Sequence, residues 1–501
     1  MSNRRSFIKN LGLTGAVLTV PSVILAADAD NTVMADAAKA DITNITLKGR
    51  VHSHGAGIAN VAVTDGIHIV YTDKSGNYQM LSNKTAQFVY ISIPSGYEFP
   101  AEKGLVKFYK PIQKEKSVFT ADFELTKLKK DDRNHHFVVW ADPQMISKKD
   151  TQILIEQSAP DLKNLAANLP DGSLMHAIGC GDLVWDHFEL YEDYKEAVEI
   201  TGVPFFNLIG NHDMDLSART DDYSAETFKS HFGPTYYSFN RGNIHYVMLD
   251  DVFFIGTAKK YIGYITETQL QWLEQDLVHV KPGTTVVVSL HIPTDTGVKR
   301  RNQLKEDELG GVVANREQLY KILAPYKVHI MSGHTHMNEK WEDRNMIEHV
   351  HGTVCGAWWT GPICTDGTPE GYAVYEVKGD EISWFYKSTG KPKDYQLKVY
   401  PKGYLKTAPD EVVANVWNWD PKWKIQWFED GNSKGDMQQR VAFDPWALEL
   451  YDGPALPKKH KFVDPTLTDH LFFAKPSAGA KSIKVVATDR FGNQFTQSIN
   501  L

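Results

Sequence analysis

Five short apolar runs in this 501-residue chain each stop at a residue able to bind a metal ion. Val138-Val139-Trp140-Ala141 leads into Asp142-Pro143-Gln144, Ile178-Gly179-Cys180-Gly181 into Asp182, and Leu208-Ile209-Gly210 into Asn211-His212-Asp213. Val286-Val287-Val288-Ser289-Leu290 leads into His291, and Ile330-Met331-Ser332-Gly333 into His334-Thr335-His336. Amides, imidazoles and carboxylates placed directly after a strand contribute little to packing. In open α/β sheets, ligands bind beyond the carboxyl ends of the strands. Hard oxygen donors mixed with imidazoles suit a divalent transition ion such as Mn, Fe or Zn and not a thiolate site. Seven candidate ligands (Asp142, Gln144, Asp182, Asn211, His291, His334, His336) oversupply one ion. Two ions sharing a carboxylate is the economical arrangement, and it matches the clamp that stabilises the attacking and leaving oxygens of a phosphoryl transfer.

These strand ends need a layered scaffold to bring them together. Helical patterns fill the intervals between the apolar runs, at 151–169, 187–200, 225–232, 266–280 and 316–323. The fourth is the clearest, with Thr266 and Gln269 spaced as a capping box and Leu270, Leu273 and Leu277 on one face. Strands alternating with helices predict an α/β layered domain. Asn240-Arg241-Gly242-Asn243 reads as a hairpin turn, so part of the sheet is expected to be antiparallel.

The set of strand ends resembles the calcineurin-like metallophosphoesterases, whose pattern is D-x-H, G-D-x-x-D, G-N-H-D/E, a lone H, and G-H-x-H. Here the pieces stand in that order as Asp142-Pro143-Gln144, Gly181-Asp182-Leu183-Val184-Trp185-Asp186, Gly210-Asn211-His212-Asp213, His291 and Gly333-His334-Thr335-His336. The resemblance spans residues 130–392 and implies a four-layer αββα catalytic core. It further implies that Asp142, Gln144, Asp182 and His336 hold one ion, that Asp182, Asn211, His291 and His334 hold the other, and that Asp182 bridges them. His212 would donate a proton to the leaving oxygen, with Asp213 orienting its ring, and the nucleophile would be a metal-bound hydroxide. A histidine in such a role needs a carboxylate to fix its tautomer. Gln144 departs from the usual His, and its neutral amide oxygen is a weaker donor. The same variant occurs in branches of the family, so it reads as subfamily character. Asp186 is expected to cap the helix that follows it. His187 should be solvated, and His245, His329 and His351 should be satisfied on strands.

Trp358 and Trp359 stand in a Gly-rich stretch, Gly356 to Pro362, one strand beyond the Gly-His-Thr-His end. Two adjacent bulky aromatics cannot both face a core, which favours a lid or substrate platform over local packing.

Two flanking segments have a different texture. Residues 41–126 alternate over short stretches between Gly and Asp turns, as in a small β-sandwich, and 51–78 resembles a carboxypeptidase-regulatory-like domain. Residues 127–133 read as a charged, solvated linker. Residues 395–501 read as an all-β domain. Its Trp417, Trp419, Trp423 and Trp427 suggest either sandwich core or a carbohydrate platform, and core is the commoner fate.

Residues 1–29 read as an export signal of the twin-arginine type: Arg4-Arg5 before Phe7, an apolar run from Leu11 to Leu25, and Ala27-Asp28-Ala29. The run is short for a membrane span, and no cysteine follows it, so no stable membrane anchor is expected. A periplasmic or extracellular location follows. The net charge of −8 argues against nucleic acid as a partner. Three cysteines cannot make a disulfide framework, although Cys355 and Cys364 could pair. The expectation is an exported hydrolase of phosphate mono- or diesters acting on a small phosphorylated substrate, whose leaving group could be a sugar or a lipid. The alternative is a surface carbohydrate-binding or adhesion protein with a structural metal domain.

Overall fold

The computed structural model describes residues 44–170, 172–257, 259–454 and 459–501. The stretches read as an export signal lie outside the described residues.

Two mixed sheets carry the five strand ends. In the seven-stranded sheet the spatial order is Glu381–Ser388, Gly371–Lys378, Asn134–Trp140, Leu174–Cys180, Phe205–Leu208, Leu105–Val106 and Ala101–Glu102. Its central strands Asn134–Trp140, Leu174–Cys180 and Phe205–Leu208 are parallel, so Asp142, Asp182 and Asn211 emerge at one end. In the six-stranded sheet the order is Tyr237–Arg241, Ile244–Met248, Thr285–Ser289, Lys327–Ser332, Met346–Val350 and Glu339–Asp343. Thr285–Ser289 and Lys327–Ser332 run parallel and deliver His291, His334 and His336. The first two strands of this sheet form the antiparallel hairpin expected at Asn240–Asn243.

Alternation along the strands then builds the layers. Phe137, Val139, Ile178 and Phe206 face Tyr246, Met248, Val287 and Met331 between the sheets. Phe206 and Phe239 stack there at 3.8 Å. On the outer face of the first sheet, Val138 and Trp140 meet Leu162, Tyr191, Tyr194 and Val198 from the helices Ala159–Ala167 and Tyr191–Thr201. On the outer face of the second, Val286, Val288 and Leu290 meet Leu270, Leu273 and Leu277 of Glu267–Leu277 and Leu319 and Leu323 of Arg316–Leu323. The result is helix, sheet, sheet, helix. Thr266 caps its helix by accepting from the Gln269 N–H.

Some expectations change in detail. The first helical stretch is not uniform: Lys148–Ile153 and Ala159–Ala167 are α-helical, but Leu154–Ser158 is a π-helical turn. Pro160 lacks the N–H that an ordinary turn requires there. The charged segment before the core is not wholly solvated either. Asp132 is buried, accepts from the Gly96 N–H at 2.7 Å and faces Arg241 at 3.7 Å.

Both flanking segments are β-rich. In the first, Asn44–Ser53 pairs with Asn77–Asn83, and Ala62–Thr64 with Phe88–Ile91, around Leu47, Val63, Met80 and Val89. In the last, two four-stranded sheets enclose Val412, Trp423, Ile425, Trp427 and Val485. Trp417, Trp423 and Trp427 are buried and Trp419 packs against the same core, so these tryptophans are sandwich core and not an exposed platform. The segment also contains one helix, Pro445–Tyr451, whose Asp444 cap accepts from the N–H groups of Trp446 and Ala447. Among the described residues no helix is long and apolar enough to cross a membrane. Cys180, Cys355 and Cys364 are all buried free thiols.

Candidate metal centre

The loops after the strands are tightly turned. Asp142, Gln144, Asp182, His334 and His336 all adopt positive φ, between 39° and 68°, a region non-glycine residues rarely occupy. Such strain persists only where the surroundings over-determine it, and it gathers at functional sites. Glycines make the crowding possible. A Cβ on Gly210 would stand 2.2 Å from Asp182 Oδ1, and one on Gly333 would stand 2.5 Å from Asp142 Oδ2.

Five loops converge here. Carboxylate or ring-nitrogen atoms of Asp182, His291 and His334 lie within 4.8 Å of one another. Asn211 Oδ1 is 3.2 Å from His291 Nε2. On the other side, His336 Nε2 is 3.5 Å from Asp142 Oδ1, and the Gln144 amide donates to Asp182 Oδ2 at 3.1 Å. The Asp142 carboxylate accepts from the His334 N–H and Asp182 accepts from the His212 N–H, which ties the loops together. All seven predicted ligands are therefore neighbours.

Hydrogen bonds orient the imidazoles. His291 Nδ1 lies 2.9 Å from the Cys180 carbonyl, which can only accept, so Nδ1 carries hydrogen and Nε2 faces the site. His334 Nε2 meets the Gly310 carbonyl at 2.9 Å, leaving Nδ1 free. Such outer partners are what fixes the tautomer of a metal-binding histidine.

The donor set asks for a cation. His291 Nε2 sits against two acceptors, Asn211 Oδ1 at 3.2 Å and Asp182 Oδ1 at 3.4 Å. A second proton, a metal ion or a turned Asn211 amide reconciles those contacts. In the ion-free chain, burial pulls His291 down, but Asp182 and Asp142 outweigh it and push the ring up to about 10. Burial, then Asp182, raises Asp142 to about 8, whereas His291 and His212 overcome burial to hold Asp182 below the carboxylate range. Burial and mutual repulsion push two acids in one site apart in this way. Burial and the charge on His291 hold His334 down at about 3, and burial holds His336 at about 4, so both stay neutral as ligands must. Gln144 Oε1 is buried without a partner among the described residues, a free donor atom inside the site.

His212 stands at the edge of this cluster. Its Nδ1 is 3.0 Å from Asp186 Oδ1, and Lys259 Nζ pairs with the other oxygen of the same carboxylate. Burial lowers the His212 pKa, but Asp182 and Asp186 more than offset it and leave it raised. The expected orienting partner, Asp213, is engaged elsewhere. Its carboxylate accepts from the N–H groups of Gly210, Leu183 and Val184 and from the Tyr191 hydroxyl, bracing the two loops. Asp186 does not cap the following helix: it turns toward His212, at φ 59°. His187 pairs with Glu189 near the surface. His245 binds Asn240 and Asp276, and His351 binds the Ser332 carbonyl and the Tyr375 hydroxyl, so both are satisfied. His329 pairs with His349 at 3.1 Å.

The paired tryptophans split. Trp358 stacks on His336 at 4.2 Å and stays partly exposed. Trp359 is 9% exposed and donates from its indole to the Pro143 carbonyl, so it is a brace for the Asp142 loop and not a platform.

The family model described as "Calcineurin-like phosphoesterase" matches residues 135–338, and models for the N-terminal and C-terminal parts of calcineurin-like phosphoesterases match 45–128 and 348–495. The chain belongs to the calcineurin-like phosphoesterases. A curated relative of this phosphoesterase, purple acid phosphatase 15 of Arabidopsis thaliana, is 26% identical over 305 residues, 56% of this chain and 50% of that protein. The phosphoesterase thus spans about half the length of that relative. Among solved structures, purple acid phosphatase PPD1 from yellow lupin seeds (Lupinus luteus) is 13% identical with a TM-score of 0.36, covering 66% of this chain and 67% of that one. PhoD is 10% identical with a TM-score of 0.34, covering 92% and 86%.

Several site residues were not anticipated. Asp251 accepts from the His291 and Ile292 N–H groups and holds that loop in place. It follows the strand Ile244–Met248 closely, so the same strand-end signal pointed to it. Trp185, 5.2 Å from His212, stood inside the Gly181–Asp186 segment. His460 and Phe462, which reach the site from the last third of the chain, carried no local signal.

Proposed function

We propose that this phosphoesterase is an exported hydrolase of phosphate mono- or diesters that works with two divalent ions. The observation that carries the reading is the His291 contact set, a ring nitrogen held against two oxygens, beside a histidine whose pKa is raised. Asp142, Gln144 and His336 would hold one ion and Asn211, His291 and His334 the other, with Asp182 between them. When bound, the ions neutralise developing charge on the phosphoryl oxygens and make a water acidic enough to serve as nucleophile near neutral pH.

The chain's own residues supply the rest. His212, whose pKa Asp182 and Asp186 raise against the effect of burial, is placed to give its proton to the departing alkoxide. Asp186 fixes the ring through Nδ1, so the opposite nitrogen, Nε2, is the one that donates. Asp213 acts at one remove by bracing the loops that carry Asp182 and Asn211. Burial of Asp142, Asp182 and His291 strengthens every charge interaction in the site. The burial of Trp417, Trp423 and Trp427 leaves the carbohydrate-binding alternative without its platform. Export rests on the signal-like residues 1–29.

The test is a panel of aryl and alkyl phosphate mono- and diesters, assayed with Mn, Fe or Zn and with metal content measured on the same sample. Turnover that a chelator abolishes and metal restores is the expected result. Two bound ions with no turnover on any ester would refute the hydrolase reading.

A further inference from the structure

Beside His212 lies a group of aromatic rings that phosphoryl chemistry does not use. Trp185 follows Asp182 by three residues and lies 5.2 Å from the His212 ring. Trp358 covers His336 and lies 6.3 Å from Trp185. From the C-terminal segment, His460 approaches Trp185 at 5.4 Å, while Phe462 approaches Trp185 at 5.7 Å and Trp358 at 5.3 Å. Three separate stretches of chain therefore meet beside His212, the residue that would protonate a leaving oxygen.

Two features mark this group as unfinished. Phe462 is 53% exposed although it touches two tryptophans, so its free face looks outward from an aromatic wall. His460 Nε2 is buried and has no hydrogen-bond partner among the described residues, which is costly unless something meets it. The ring planes also matter. Phe462 stands at 79° to Trp185 and 73° to Trp358, and His460 at 41° to Trp185. Rings at these angles form a corner. An extended acyl chain is better served by a long groove, whereas a corner fits a compact ring that lays a flat face on one wall and an edge on the other.

We propose that Trp185, Trp358, His460 and Phe462 form a subsite for the leaving alcohol, and that this alcohol carries a flat-faced ring with a polar edge. The apolar face stacks on the aromatic wall and the polar edge pairs with His460 Nε2. This rests on the phosphoester-hydrolase reading. Two sources share that chemistry: the C–H face of a hexose with its hydroxyls, and a nucleobase with its ring nitrogens.

Binding and turnover test this separately. Calorimetric titration of the metal-loaded protein with adenosine, methyl glucoside and ring-free glycerol reads the subsite without any phosphate. One ring-bearing probe is expected to bind more tightly than glycerol, and Phe462→Ala should weaken it about tenfold, the loss of one aromatic contact. The probe that binds identifies the source. In parallel, the ratio of kcat/KM for the matching ring-bearing phosphate to that for glycerol phosphate should fall by a similar factor in Phe462→Ala and in His460→Ala. Absence of binding by both ring-bearing probes, or equal binding by wild type and Phe462→Ala, overturns the subsite. Failure of every phosphate ester to turn over while the ring probe still binds would instead overturn the hydrolase reading and leave the subsite standing. Phe462 lies on the surface, so its truncation preserves the fold, and Phe462→Leu gives an intermediate that keeps apolar area but loses stacking.

Discussion

Replacing Asp186 with Asn isolates the proton donor. The carboxylate lies 3.0 Å from His212 Nδ1 and its side chain is 16% exposed, so the charged hydrogen bond is only partly screened. Bonds of that kind contribute about 1.5–3 kcal/mol, which corresponds to roughly 10- to 150-fold in rate if the bond is felt mainly as the proton moves. The loss should depend on the leaving group. A nitrophenolate departs without help, so its rate should change less than about threefold, while an alkyl ester should carry the full loss. The backbone bond from the Asp186 N–H to the His212 carbonyl survives the substitution, which keeps the loop in place. Metal content should stay at the wild-type level, because Asp186 spends its oxygens on His212 and Lys259. The pH dependence has a definite sign. Asp186 raises the His212 pKa, so its removal lowers it, and the alkaline limb of kcat/KM for the alkyl ester moves to lower pH. Steady-state rates on both esters and elemental analysis of one preparation decide the matter. Equal losses on the two esters, or a missing ion, would refute the assignment of His212 as proton donor.

Asp182→Ala should abolish binding of both ions while far-ultraviolet circular dichroism stays unchanged; retention of two ions would remove the bridging role. Gln144→His places an imidazole where an amide Oε1 is buried without a partner among the described residues, and should raise metal occupancy in a chelator titration without abolishing turnover. An unchanged titration would show that residue 144 does not coordinate. Lys340 provides a stability test away from the centre. Burial, only partly offset by Asp420, pulls its ammonium down to about 7, while its Nζ donates to Asn418 at 2.7 Å. Its folded pKa lies below the unfolded value of about 10.4, so the unfolded chain holds the extra proton between these limits and wild-type stability rises with pH from about 7 to 10. Lys340→Met should lose that rise, and denaturant midpoints differing from wild type by the same amount at pH 7 and pH 10 would contradict it.

The layered core was readable because each parallel strand ends in a chemically loud residue and each helix buries a stripe of leucines. The seven predicted ligands came together for the same reason: parallel strands put their carboxyl ends on one side. The partner of His212 was harder to read. Asp213 is adjacent in sequence, but its side chain is taken by four donors from neighbouring segments, and the choice between two nearby carboxylates depends on loop curvature that spacing does not encode. The helix Pro445–Tyr451 is too short to show a period, although Asp444-Pro445 is a capping signal. His460 and Phe462 lie more than 240 residues from His212, and no local pattern links segments so far apart.

One consequence of the seven-stranded sheet concerns how the protein can be cut. Leu105 of the N-terminal segment pairs with Phe205, so the sheet does not end where the catalytic segment begins. A fragment starting near residue 130 would open this edge of Phe205–Leu208 at Phe205, whose N–H donates to the Gly104 carbonyl. Such a flank recruits strands from other molecules. The N-terminal segment thus covers part of that edge, and during synthesis it must wait about a hundred residues for the strand it pairs with.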